Sequence, residues 1–236
     1  MGKAGRTGVN VSIVLPVLEE APLITRRLCD LRRDAPDAEV IVVDGGSGDA
    51  TVEQARPLAD RVIVSAPGRA VQMNAGAAAA TRDILLFLHA DTGLPPDALH
   101  RITAGITATG RCWGRFDVQF DGRHPLLPVV AVMMNLRSRL SGVATGDQAI
   151  FITRTAFDAA GGFPAIPLME DIALSKRLRR VGRPLCLRAR VITSGRRWEA
   201  NGMLRTIVIM WGLRLGYVLG VPPARLARVW RRLKRQ

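Results

Sequence analysis

The stretch Val40-Ile41-Val42-Val43-Asp44-Gly45-Gly46-Ser47-Gly48-Asp49-Ala50-Thr51 sets the frame for the whole chain. Four β-type apolar residues run without polar alternation, as in a strand buried on both faces. An acid closes the run, glycines follow, and a helix start is in view at Asp49 or Thr51. A Gly-rich turn between strand and helix lets backbone approach a ligand, and the helix N-terminus favours phosphate. The turn is neither G-x-G-x-x-G nor a P-loop, because no Gly-Lys-Ser/Thr follows. Asp44, at the strand's end beside Gly46, can accept hydrogen bonds from a nucleobase or ribose. A plain turn capped by Asp49 or Thr51 is the alternative reading.

Working outward, apolar runs recur at residues 11–15, 62–64 and 84–88. Helical stretches lie between them. Residues 20–33 place Leu23, Ile24, Leu28 and Leu31 on one face, residues 70–80 are Ala-rich, and 95–108 open on Pro95-Pro96-Asp97. Strand and helix alternating at 20–30 residue spacing predict a parallel α/β sheet with right-handed crossovers. After residue 110 the pattern loosens, with strands expected over 112–120 and 148–153 and helices over 126–136 and 170–181. No internal repeat or linker interrupts the chain. Residues 201–221 are apolar, but Arg205 and Arg214 fall on opposite faces of a helix there. That spoils both a bilayer span, which needs about 20 apolar residues, and a clean surface helix. The expectation is an α/β domain over 9–200 and a helical apolar and basic extension over 201–236. The extension packs partly on the domain, with an interfacial membrane contact as the alternative.

The 236 residues suit one large domain with a small appendage, and 48% hydrophobic content excludes wholesale disorder. Three scattered cysteines make neither a disulfide framework nor a CxxC metal pair. The first ten residues lack the apolar core of a signal peptide, so a cytoplasmic location, at the inner face of the cell membrane if the extension touches lipid, is expected. The net charge of +14 is segregated. Residues 1–175 hold 17 basic and 19 acidic side chains, whereas residues 176–236 hold 17 basic ones and a single acid, Glu199. Such a basic end implies an anionic partner: nucleic acid, a phosphate-bearing substrate or an acidic membrane surface. With no nucleic-acid motif and few aromatics, nucleic acid ranks last.

Further candidates follow from position. Asp91, two residues after His89, stands where open α/β sheets bind ligands, and on a strand the two would share a face. A divalent ion bridged to substrate phosphates needs only one or two carboxylates. Glu170-Asp171 opens a helix; acids there are stabilised by the helix dipole, or one acts as a general base. Arg69 and Asn74 follow Pro67-Gly68. Arg196, Arg197 and Trp198 could clamp a diphosphate by forked donors and stacking, or form a solvated basic turn anchored by Trp198.

Taken together these segments resemble family 2 glycosyltransferases with the GT-A fold. Val11-Ser12-Ile13-Val14-Leu15-Pro16 with Glu19-Glu20 looks like the family's opening strand, with Leu18 where Asn is common. Val42-Val43-Asp44-Gly45-Gly46-Ser47-Gly48-Asp49 looks like its second-strand motif. Leu88-His89-Ala90-Asp91 stands where the family has D-x-D, with His89 replacing the first Asp. Glu170-Asp171 matches the family's acid pair at a helix start. The resemblance spans residues 11–198 and implies a mostly parallel central sheet flanked by helices. It implies that Pro16, Glu19, Asp44, Gly46, Arg69, Asn74, His89 and Asp91 line the donor site. Asp91 would ligate Mn²⁺ or Mg²⁺, and Asp171, beside Glu170, would be the catalytic base. Asp147, Gln148, Arg196, Arg197 and Trp198 would meet the acceptor or diphosphate.

A narrower likeness, carried by residues 68–76, 88–92 and 146–151, is to a bacterial subgroup associated with radical SAM and selenium-domain proteins or arsenosugar biosynthesis. Arg197-Trp198 also resembles the end of the Q-x-x-R-W motif of processive and lipid-directed members, with Ser194 in place of Gln. The implied function is metal-dependent, inverting transfer of a sugar from a nucleotide-diphosphate sugar, UDP-linked by preference, to a small-molecule or lipid acceptor. Two alternatives stand beside it. One is a non-catalytic nucleotide-sugar-binding or membrane-scaffolding protein, motivated by His89. The other is a nucleotidyltransferase, against which the acidic segment 16–20 counts.

Overall fold

The alternation is realised as one eight-stranded sheet in the computed structural model, which describes residues 10–200 and 202–234, with the side chains of 197, 200 and 232–234 outside that description. Residues 1–9, which include nearly all of the segment read above for a targeting signal and the expected domain start at 9, lie outside the described part. Strands β1 (Val11–Val17), β2 (Glu39–Asp44), β3 (Arg61–Val64) and β4 (Ile84–Phe87) run parallel. Helices α1 (Ala21–Asp34), α2 (Thr51–Ala55) and α3 (Arg69–Ala79) connect them. The two central strands, β1 and β2, are buried almost throughout, which is why their sequences lack polar alternation. Pro16 is tolerated in β1 because the pairing with β4 has already ended at Val14.

Next come the short β5 (Thr92–Gly93), α4 (Ala98–Thr109), β6 (Trp113–Asp121) and α5 (Leu127–Ser141). A 3-10 turn at Gly146–Gln148 leads into β7 (Ile150–Thr153), α6 (Arg154–Ala159) and α7 (Glu170–Val181). β8 (Leu185–Ser194), α8 (Arg196–Ala200), α9 (Met203–Val218) and α10 (Pro223–Lys234) complete the chain. The sheet order is β3-β2-β1-β4-β7-β6-β8-β5. β7 is antiparallel to both β4 and β6, and β5 to β8, so the sheet is mixed although most strands share one direction.

Connections from β1 run first toward β3 and then back across to β4, so the strand order reverses between β1 and β4. A crevice opens at the carboxyl ends of strands at such a reversal. Apolar clusters fill both faces of the sheet: α1 docks Ile24, Leu28 and Leu31 on one face, and α3 and α7 cover the other. Gly76 lets α3 lie directly on the sheet, since a Cβ there would stand 2.3 Å from Val14 Cγ1.

Three elements depart from the sequence expectations. The strand expected over 148–153 starts only at Ile150, because Gln148 closes the 3-10 turn. The segment 196–198, read as a turn, lies in a helix. β8, long and paired to β6 along its length, was not anticipated. The extension packs on the domain: Leu213 of α9 and Leu226 of α10 share an apolar cluster with Met169 and Ile172 at the start of α7. Among the described residues no helix is long and apolar enough to cross a membrane.

Candidate active site

The loop after β2 is closed on itself. Asp44, 1% exposed, accepts hydrogen bonds from the Gly46 and Ser47 amides, both at 2.8 Å, and from the Ser47 hydroxyl. Gly46 has φ +92°, a backbone conformation that favours glycine, with open space in front of it. Glu19, itself at φ 56°, reaches over from the end of β1: its carboxylate accepts from the Gly48 amide at 2.7 Å, and its amide donates to Ser47 Oγ. Asp49 accepts from the Ala21 amide and the Thr51 hydroxyl, which holds its carboxyl below the usual range. Gln72 on α3 ties the two strand ends together by donating to the carbonyls of Val17 and Val43, each at 2.8 Å. The loop is therefore rigid before any ligand arrives.

β4 ends at Phe87, and the backbone then turns, with the Thr92 amide bonded to the His89 carbonyl. The strand geometry that would put His89 and Asp91 on one face does not hold: they sit within a turn and diverge. His89 points to Asp147, Nδ1 lying 3.3 Å from Oδ1. Glycine at 146 lets the His89 ring lie against the turn, since a Cβ there would come 2.4 Å from His89 Nε2. Asp91 instead faces the Thr92 hydroxyl and lies within the field of Arg27, whose Nε donates to the Ala90 carbonyl.

The acid pair opens α7. Met169 precedes it at φ 68°, a left-handed conformation uncommon for a long side chain. Asp171 Oδ2 accepts the Gly146 amide at 2.9 Å, so the 3-10 turn fixes its carboxylate. Glu170 is buried at 7% exposure. Burial first, and the Asp171 charge second, push its carboxyl upward, only partly opposed by Arg69 and His89. Arg69, His89, Asp147, Glu170, Asp171 and Trp198 line one cleft of about 300 Å³. Thr206, Leu213, Arg214 and Trp230 of the C-terminal helices form its far wall.

Not every candidate comes to that cleft. Asn74 pairs both ends of its amide with the Phe163 backbone, at 2.8 and 2.9 Å. Gln148 is fully buried and faces Asn135 and the Thr145 amide. Arg196 is exposed, its Nε on Ser194 Oγ. The side chain of Arg197 lies outside the described residues. Trp198, which does line the cleft, meets Phe120 edge-on, with centroids 5.6 Å apart.

Two groups escaped the sequence reading. Arg137 on α5 and Arg214 on α9 carry buried guanidinium nitrogens without hydrogen-bond partners. The available signal was an arginine inside an apolar helical stretch; at Arg214 it served only to argue against a membrane span. Among the described residues no three His, Cys, Asp or Glu stand together to hold a metal. The donor set suits a hard divalent ion only if phosphates and water supply most of its ligands.

Comparison with known proteins bears on this geometry. The family model described as glycosyl transferase family 2 matches residues 12–162. No curated protein matches. Among solved structures, S. aureus TarS 1-349 aligns with TM-score 0.64 at 19% identity, over 79% of this chain and 60% of that one. The mannosyltransferase PcManGT from Pyrobaculum calidifontis, in complex with GDP-Man and Mn²⁺, aligns with TM-score 0.59 at 20% identity, over 78% and 56%. Glucosyl-3-phosphoglycerate synthase from Mycobacterium tuberculosis, with Mg²⁺ and UDP, aligns with TM-score 0.55 at 21% identity, over 78% and 70%. The chain thus spans about three fifths of the first of these, and the likeness establishes the fold, a mixed sheet flanked by helices as in GT-A glycosyltransferases. With the family model matching more than half of its length, the chain belongs to glycosyl transferase family 2.

Proposed function

We propose that the protein transfers a sugar from a nucleotide-diphosphate donor, with inversion, by direct displacement assisted by Asp171. The observation that carries this reading is the cleft itself. At the carboxyl edge of the sheet, two acids at a strained helix start, His89 and Arg69 converge on one cavity, with Asp171 pinned by the Gly146 amide. The Asp44 loop, on the other side of the β1 end, would receive the base through its exposed Gly46 face rather than through the buried carboxylate alone. Arg69 would meet the diphosphate. Asp171 takes the acceptor proton as the acceptor attacks the anomeric carbon, and the nucleoside diphosphate leaves with the bonding pair. Glu170, its carboxyl pushed upward, keeps the charge density next to Asp171 low. PcManGT with GDP-Man and Mn²⁺, and the synthase with UDP and Mg²⁺, support a nucleotide-sugar donor and a divalent ion. Asp91 would hold that ion, which when bound neutralises charge on the diphosphate.

The narrower likeness to the radical SAM or arsenosugar subgroup rests on the motifs at 68–76, 88–92 and 146–151. The basic C-terminal helices support a site at the inner membrane face. A thermal-shift screen of nucleotide sugars with and without Mn²⁺ tests the donor, since ligand stabilisation follows mass action. UDP-sugars should stand out at millimolar concentration, and Asp91→Ala should remove the part of the shift that depends on metal. A flat response across all donors would sink the transferase reading.

A further inference from the structure

The described surface holds a second cavity that the proposed chemistry leaves unused. Between α5 and α9 lies a groove of about 550 Å³ whose walls include Val130, Met133, Met134, Ile207 and Met210. It meets the catalytic cleft at Trp198, Met210 and Arg214. Arg214 sits at that junction, and Arg137 lines the groove close enough to feel its charge. Arg137 keeps Nε and Nη2 buried without a partner, and Arg214 keeps Nε so. Buried polar nitrogens are nearly always paired, so each bare one calls for an explanation. Burial, and then the nearby Arg214 charge, push the Arg137 guanidinium down to about 10. Burial lowers Arg214 too, against the pull of Asp171 and Asp147. Two desolvated cations carrying unpartnered donors beside the groove make a seat for an anion with several acceptor oxygens.

The groove walls offer little to a sugar, whose hydroxyls would be stranded there. They suit a hydrocarbon chain. Most of the exposed large hydrophobic side chains among the described residues stand on α5 and α9, with Val132, Leu140, Val208 and Val218 at 63–79% exposure. α10, packed on α9, presents Arg225, Arg228 and Arg231 to solvent. An apolar face flanked by arginines matches an anionic lipid surface.

We infer that the α5–α9 groove holds the hydrocarbon chain of a lipid phosphate, with its phosphate on Arg137 and Arg214 at the mouth of the catalytic cleft. As the acceptor, this lipid would rest on the transferase reading given above. Its binding does not, and can be measured with no sugar donor present.

The probe is decyl phosphate below its critical micelle concentration, followed by tryptophan fluorescence and calorimetry, beside inorganic phosphate and decanol. Decyl phosphate should bind at least tenfold more tightly than either half-molecule. Arg137→Gln and Arg214→Gln should each weaken it about tenfold or more, while Leu215→Gln, on the groove wall, should weaken decyl phosphate and spare inorganic phosphate. Without ligand, both arginine variants should melt at or above the parent temperature, because an unpaired buried cation is lost. A lower melting point would mean the arginines are structural and would overturn the inference. So would equal binding of inorganic and decyl phosphate, which marks a free-anion site, or decyl phosphate binding that ignores both arginine changes. A dimer in sedimentation that decyl phosphate fails to dissociate would assign the face to a second copy instead. If decyl phosphate binds as expected but no donor is turned over, only the transferase reading falls; if sugar moves but the lipid does not bind, only this inference does.

Discussion

At the β1–β2 end of the sheet, Asp44, Glu19 and Gln72 are satisfied by neighbouring backbone, whereas at the α5–α9 end Arg137 and Arg214 keep buried nitrogens bare. The first resembles a finished part: its loop geometry is set by internal hydrogen bonds, and a ligand would meet backbone rather than reorganise it. The second holds unsatisfied polarity that costs stability in the free protein. Such local inconsistency, where the rest of the chain is consistent, is characteristic of binding and catalytic sites. A third region calibrates the contrast. Arg115, fully buried under α5, is paired with Asp117, bonded to Ser138 and Asn135, and Asp117 also holds Arg139 at 2.6 Å. This chain can therefore satisfy a buried arginine completely when the role is structural.

The largest effect should come from the cleft. Asp171→Asn keeps an acceptor oxygen for the Gly146 amide but removes the base. Turnover, read as nucleoside diphosphate release with the donor found by thermal shift, should fall by about 10²–10⁴-fold while donor binding survives. Undiminished transfer would remove the catalytic meaning of the cleft.

The calibrating region should respond in stability. Asp117→Asn leaves Arg115 buried without its counter-charge, and breaking such a pair costs about 3–5 kcal/mol. Urea unfolding monitored by circular dichroism reads this directly. A cost below ~1 kcal/mol would mean that buried arginines are cheap in this chain, and the bare nitrogens of Arg137 and Arg214 would lose their significance.

Smaller again is Gly76→Ala at the finished end. In a helix interior, alanine is favoured over glycine by roughly 1 kcal/mol. The new methyl would lie 2.3 Å from Val14 Cγ1 and 2.9 Å from Val43 Cγ2, and overpacking a core costs about 1–3 kcal/mol. The net change should be destabilising. A stabilised variant would show that α3 can lift off the sheet and that the β1–β2 end is softer than its hydrogen bonds suggest.

The same contrast explains what the sequence disclosed. The first four strands were legible because β1, β2 and β4 are buried on both faces, and residues such as 40–43 carry that burial as an unbroken apolar run. The placement of Asp171 at a helix start and of Asp44 at a strand end was legible because position at an element's end is a property of the sequence. β8 was not, since Arg188 and Arg190 alternate with apolar residues in a strand lying beside β6, and its basic composition drew attention to charge instead of period. The divergence of His89 and Asp91 was hidden because strand periodicity stops at Phe87. Arg137 and Arg214 were hidden because their meaning is the absence of partners, which depends on how α5 and α9 pack. Gln148 and Asn74 read as ligand contacts for the opposite reason: polar side chains near glycines look functional until the fold supplies backbone partners.

Two buried glutamates bring the comparison to its finest point. Burial would raise the Glu39 carboxyl, but the Ser12 hydroxyl, the Thr81 amide and hydroxyl and Arg61 outweigh it and hold the group low. Its contribution to stability is present above the ordinary carboxylate range and is lost as pH falls through its lowered value in the fold. Glu170 is raised by burial and by Asp171, so the fold favours its protonated form. Its contribution is present below the ordinary range and lost as pH rises through the raised value. At pH 7 Glu39→Gln should therefore lower the urea midpoint, and Glu170→Gln should raise it. The Glu170 difference should vanish once the pH is below the ordinary carboxylate range, and the Glu39 difference only once it is below that group's lowered value in the fold. If both variants shift the pH 7 midpoint in the same direction, the cleft is no more strained than the far end of β2, and the distinction between a finished scaffold and a waiting site collapses.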